Sequence, residues 1–233
     1  MNLFKNVHES WIPLLHSLAY QEPMVKFLES LRNVSFQPDM SKIFNVFEMP
    51  VEDIKVVILG QNPYPQPGTA VGRAYAVPKT RKMPQLLQFI KEEVFKDKEL
   101  STDWQTLDHW TKQGVFLLNT SLTIETDGTG HSANWRDFTN TVITFISQQN
   151  PCIWMLWGRN AQGFMDRINN PLRVKGYDRE TIEDIPIDPI LNYIIPGDHP
   201  VRLMEEEIES FSNDGFYYTN KILEKRSLTQ IIW

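Results

Sequence analysis

Four short polar stretches carry the side chains able to do chemistry, and each follows an unbroken apolar run. Val56-Val57-Ile58-Leu59 leads into Gly60-Gln61-Asn62-Pro63-Tyr64-Pro65, and the loop continues through Gly68, Gly72 and Tyr75 to Pro78. Val115-Phe116-Leu117-Leu118 leads into Asn119-Thr120-Ser121, and the run ending at Trp157 leads into Gly158-Arg159-Asn160-Ala161-Gln162. Tyr193-Ile194-Ile195 leads into Pro196-Gly197-Asp198-His199-Pro200. A loop stiffened by prolines and glycines can hold polar groups in a set geometry, and two of these loops deliver an asparagine at the mouth of an apolar segment. Taken alone, the first stretch reads equally as an ordinary surface crossover.

The positioning elements follow from the same pattern. Short unbroken apolar runs closed by Gly, Asn or Pro are buried, parallel strands. Between them lie helical patterns. Trp11, Leu14, Leu15 and Leu18 precede Met24, Phe27, Leu28 and Leu31; Pro84 opens a helix over 85–95; a short helix spans 104–112; and Phe138, Val142 and Phe145 mark a helix from Trp135. Leu172 to Asn192, rich in acids and prolines, reads as an irregular connection, with the acidic part from Glu180 to Asp188 a solvated loop or a protein-binding segment. Strands alternating with helices predict a three-layer α/β/α sandwich around a mainly parallel sheet of four strands. The chain reads as one domain over 1–233, with a helical extension over 1–40 packed on it. Ligands of such sheets bind beyond the carboxyl ends of the strands, where all four loops can converge.

Composition narrows the classes. The 233 residues are 41% hydrophobic and 22% charged, as in a soluble globular protein. The single cysteine, Cys152, excludes a disulfide framework or a cysteine metal site within one chain and suits a reducing compartment. No apolar run reaches membrane-spanning length, and the first residues lack a signal-peptide core, so an intracellular monomer with no membrane partner is expected. A net charge of −6 argues against a generally cationic coat. It leaves room for nucleic acid held by backbone N–H groups, hydroxyls and a few local cations.

The ordered set of motifs resembles the uracil-DNA glycosylase family. The family's Gly-Gln-Asp-Pro-Tyr is matched by Gly60 to Tyr64 and its Leu-Leu-Asn-Thr by Leu117 to Thr120. Its Trp-Gly-Ser-x-Ala-Gln is matched by Trp157 to Gln162, and its His-Pro-Ser-Pro-Leu by His199 to Leu203. An aromatic segment ending in Asn220 and the final Trp233 also fall where the family has similar residues. The likeness runs from about residue 40 to the last residue.

The resemblance implies a DNA glycosylase that flips a pyrimidine out of DNA, above all uracil, and hydrolyses its N-glycosidic bond without metal or cofactor. It implies that Gln61, Tyr64, Tyr75 and Asn119 hold the base: Tyr75 stacks on it where the family has Phe, Asn119 reads N3–H and O4, and Tyr64 excludes a C5 methyl. His199 would donate to O2 of the leaving base, and Leu203 would fill the gap in the stack. Pro84, Gln85, Ser132, Arg159, Pro200 and Arg202 would contact DNA, and His131 joins Ser132 in a matching segment.

Three departures bear on activity. Asn62 replaces the aspartate that activates water, and an amide cannot take up a proton. Pro65 stands where the family commonly has His. Arg159 stands where the family has serine and His199-Pro200-Val201-Arg202 replaces His-Pro-Ser-Pro, so two neutral phosphate contacts become charged ones, which implies steeper salt dependence. A glycosylase for another modified pyrimidine, or a weak or inactive DNA- or protein-binding relative, remains open at this point.

Overall fold

In the computed structural model, which describes residues 3–95, 104–200 and 214–233, each expected apolar run is a strand. β1 (Phe36–Gln37) pairs antiparallel with β4 (Ile124–Glu125) in a small ribbon. β2 (Val56–Gly60), β3 (Val115–Asn119), β5 (Ile153–Trp157), β6 (Pro171–Arg173) and β7 (Asn192–Gly197) form a parallel sheet in the order β3-β2-β5-β7-β6.

The sheet therefore has five strands where the sequence predicted four. β6 escapes because it is an edge: its three residues alternate exposed, half-buried, exposed, and it opens on a proline, which an edge tolerates. The other four are buried on both faces, as parallel strands between helices must be.

Strand alternation sorts the core into two layers. Val57, Leu59, Phe116, Leu118, Trp154 and Leu156 face one side and pack with α1 (Ile12–Ala19), α2 (Glu22–Ser30) and α5 (Ser132–Gln149). Val56, Ile58, Val115, Leu117, Met155 and Trp157 face the other, against α3 (Gln85–Phe95), α4 (Asp108–Thr111) and α7 (Asp214–Lys225). The short α6 (Gly158–Gln162) continues β5 directly. The N-terminal helices belong to the first layer: Trp11 is fully buried and stacks on Phe116 with ring centroids 5.5 Å apart.

One buried polar side chain braces β5. Asn192 accepts from the Cys152 backbone N–H and the Trp154 indole, and donates to the Ser147 and Asn169 carbonyls, so all four of its bonding directions are used. Cys152 itself is 1% exposed, and burial pushes its thiol far above the ordinary range. The acidic connection is not simply a solvated loop: Ile182 and Ile185 are buried, and Glu183 pairs with Lys221 of α7 at 2.9 Å.

Candidate active site

The strand order reverses between β2 and β5, the one place where an open parallel sheet leaves a crevice at its carboxyl edge. A cavity of about 400 Å³ lies there. Its walls are Leu59 to Gln61 from the end of β2, Trp157 to Ala161 from the end of β5, and His199 beyond β7.

The β2 and β3 loops leave the sheet as a continued ladder. Thr120 N–H donates to the Gly60 carbonyl and Ser121 N–H to the Gln61 carbonyl, each at 2.9 Å. Gly60 and Asn119 are therefore opposite each other, and Asn119 Oδ1 occupies the space a β-carbon on residue 60 would need. Only glycine lets the amide lie across the strand end. Asn119 is 7% exposed, and its amide has no protein partner among the described residues.

The two tyrosines of the first loop are locked by their hydroxyls. Tyr64 Oη donates to the Tyr75 carbonyl and Tyr75 Oη to the Leu59 carbonyl, both at 3.2 Å. Tyr75 adopts a left-handed backbone (φ 65°), an uncommon choice for a bulky residue that stores about 1 kcal/mol or more of strain. The flanking bond from Ala74 N–H to the Leu117 carbonyl holds it there. Burial raises both phenols well above their ordinary pKa, so they remain neutral donors. Tyr75 packs beside Trp157 with centroids 5.5 Å apart, and it is Trp157 that forms the cavity wall.

His199 rests directly on Gly158, whose φ of +79° and lack of a β-carbon make room for it; a β-carbon there would stand 2.8 Å from His199 Cβ. The Gln162 amide donates to both the Leu156 and Gly197 carbonyls, at 3.3 and 2.9 Å, and so ties the β5 turn to the strand that delivers His199. Half-burial lowers the His199 pKa by desolvation, leaving the ring neutral at pH 7.

Asn62 faces the turn that precedes α5. A β-carbon on Gly130 would lie 3.7 Å from Asn62 Oδ1, and that oxygen is buried without a hydrogen-bond partner. The turn behind it is rigid: Thr123 Oγ1 receives the Trp135 indole N–H at 2.7 Å and bonds His131 Nδ1 at 2.9 Å, while His131 Nε2 lies 3.4 Å from Glu125.

A second groove of about 340 Å³ adjoins the cavity and shares Gln61, Arg159 and Asn160 with it. Ser132 lies there too, together with Arg136, Asn140 and Arg167. The sequence reading missed the last three. The spacing of four between Arg136 and Asn140 puts them on one helix face, but on a polar face that pattern looks like ordinary solvation. Gln85 begins α3 with Pro84 just before it, neither lines either cavity, and Pro200 is buried beside His199. Arg202 and Leu203 lie outside the described residues. Among the described residues no group of three His, Cys, Asp or Glu could hold a metal ion, and no helix is long and apolar enough to cross a membrane.

Residues 47–214 match the family model of the uracil DNA glycosylase superfamily. The chain belongs to that superfamily. Superfamily relatives named uracil-DNA glycosylase include one from Streptococcus agalactiae, 31% identical over 97% of this chain and 98% of the relative. Another, from Geobacillus thermodenitrificans, is 38% identical over 73% and 77% of the two chains. The crystal structure of mimivirus uracil-DNA glycosylase superposes with a TM-score of 0.77 over 100% of this chain and 89% of that one, at 23% identity, so the superfamily fold is shared throughout.

Proposed function

We propose that this chain is a monofunctional DNA glycosylase that hydrolyses the N-glycosidic bond of a uracil flipped out of DNA, leaving an abasic site. The observation that carries this reading is the cavity at the sheet's switch point, walled by Gly60, Gly158 and a neutral His199, with the uncommitted Asn119 amide lying against Gly60 of that wall.

Asn119 offers one acceptor and two donors, which suits N3–H and O4 of uracil. Cytosine presents the reversed pattern and would leave buried groups unpaired, a penalty of several kcal/mol. Tyr64, immobilised through Tyr75, stands against C5 and weighs against a methyl or a larger substituent. As the C1′–N1 bond breaks, its electron pair goes to the base, and charge collects on O2. The neutral imidazole of His199 donates a hydrogen bond there. The sugar becomes oxocarbenium-like and is captured by water. Asn62 Oδ1, an acceptor with no protein partner, orients that water, whose proton leaves to solvent once the C1′–O bond forms.

Losing a positioned base typically removes 10² to 10⁴ in rate, so turnover slower than with an aspartate is expected. The test is a labelled oligonucleotide with one uracil, treated with alkali after incubation, with Asn62→Asp run alongside. Cleavage by the natural chain, faster in the variant, supports the reading. Cleavage by the variant alone means a sound uracil pocket with a disarmed water site, and cleavage by neither overturns uracil excision.

A further inference from the structure

We propose that Arg136 and Arg167 extend the DNA contact expected of Arg159 along the groove beside the base cavity, binding the phosphodiester backbone next to the flipped nucleotide; the proposal rests on the uracil-excision reading. Three guanidinium groups line this groove and no carboxylate does, in a chain whose net charge is −6. All three arginines are exposed, and none forms an ion pair among the described residues. One solvated arginine needs no explanation. Three gathered in one groove of an acidic protein, next to the cavity that takes the base, concentrate positive potential where a strand must pass.

The groove is built on rigid elements. Arg136, Asn140 and Thr144 lie four residues apart on one face of α5. Thr144 Oγ1 donates to the Arg167 carbonyl at 3.0 Å and so pins the 3-10 turn Met165–Arg167 to that helix. Consecutive turn bonds, Gly163 N–H to the Arg159 carbonyl and Arg167 N–H to the Phe164 carbonyl, connect the second and third arginines. The planar guanidinium fork matches two oxygens of a phosphate, and the amides of Asn140 and Asn160 add neutral donors. Phe164, half-buried in the same wall, offers a ring on which a neighbouring base can stack. These are backbone contacts, which fix register and carry no sequence information.

The experiment measures binding of the full chain to a uracil-containing 20-mer and its uracil-free counterpart across a salt series, together with KM and kcat for uracil release. Arg136→Gln/Arg167→Gln is compared with Arg32→Gln/Arg173→Gln, which makes the same charge change at residues that do not line the groove. Thermal melts establish that both variants fold. The groove variant is expected to flatten the slope of log K against log salt by about 1.4 on single strands, and to raise KM about tenfold or more while kcat moves far less. The effect should shrink as the oligonucleotide is trimmed to one phosphate on each side of the uracil. A slope change no larger than the control's overturns the proposal, even if uracil is released normally. If the natural chain releases no uracil but binds uracil-free DNA with a slope that depends on these two arginines, the groove stands and the excision reading fails.

Discussion

In the proposed mechanism Asn62 is the residue on which the rate depends. An amide does not titrate, so the natural chain should lack the acid limb that a catalytic carboxylate puts into a pH–rate profile. Asn62→Asp should gain one, along with a rise in kcat on the order of 10²-fold, because the cradle around the side chain, from Gly130 to the Thr123–His131 pair, is already in place. Single-turnover kinetics between pH 4.5 and 8 check both. The same reading has Tyr64 set selectivity by bulk. Tyr64→Ala removes the ring opposite C5 and should bring measurable release of thymine from an unmodified oligonucleotide, where the natural chain gives none; chromatography of free bases reads the result. Both residues could be singled out in the sequence because loop motifs hold specialised residues at fixed offsets, and the family resemblance supplies the roles proposed for them. Arg136 and Arg167 were not, since an exposed cation on a helix or a short turn reads as solvation until its neighbours in space are known.

At the scale of elements, the strands carried the clearest signal. β2, β3 and β5 are runs of fully buried apolar side chains, and parallel pairing needs little else to mark them. β6 has no such run, and its pairing with β7 is a matter of proximity rather than pattern. The short 3-10 turns before β2, at Asn45–Glu48 and Val51–Asp53, likewise lack a readable period. The turn from β5 into α6 is where an element bears most directly on the proposed chemistry. Gly158→Ala would combine a left-handed backbone, costing roughly 1–2 kcal/mol for a residue with a β-carbon, with a collision against His199. The expected outcome is a kcat lower by about tenfold to a hundredfold, with the fold retained by circular dichroism. A shift of the imidazole by about 1 Å is enough to produce such a loss.

Two histidines make the stability of the whole molecule respond to mild acid. Desolvation lowers the pKa of both His109 and His199 in the folded state, so the unfolded chain binds more protons as pH falls through the ordinary histidine value. Stability is therefore full above about pH 6.5 and is lost as pH drops through the folded-state values. Melting temperatures between pH 8 and pH 5 should fall, and His109→Gln/His199→Gln should flatten that part of the curve. The same compact core that desolvates these rings also seals Cys152 between β5 and the Asn192 amide. A sulfur that is both inaccessible and protonated leaves the native surface chemically blank to thiol reagents. A cysteine introduced at an exposed position such as Asn134 would then be the sole reactive handle, so that a single fluorophore or crosslinker could follow DNA arriving at the groove without any background to subtract.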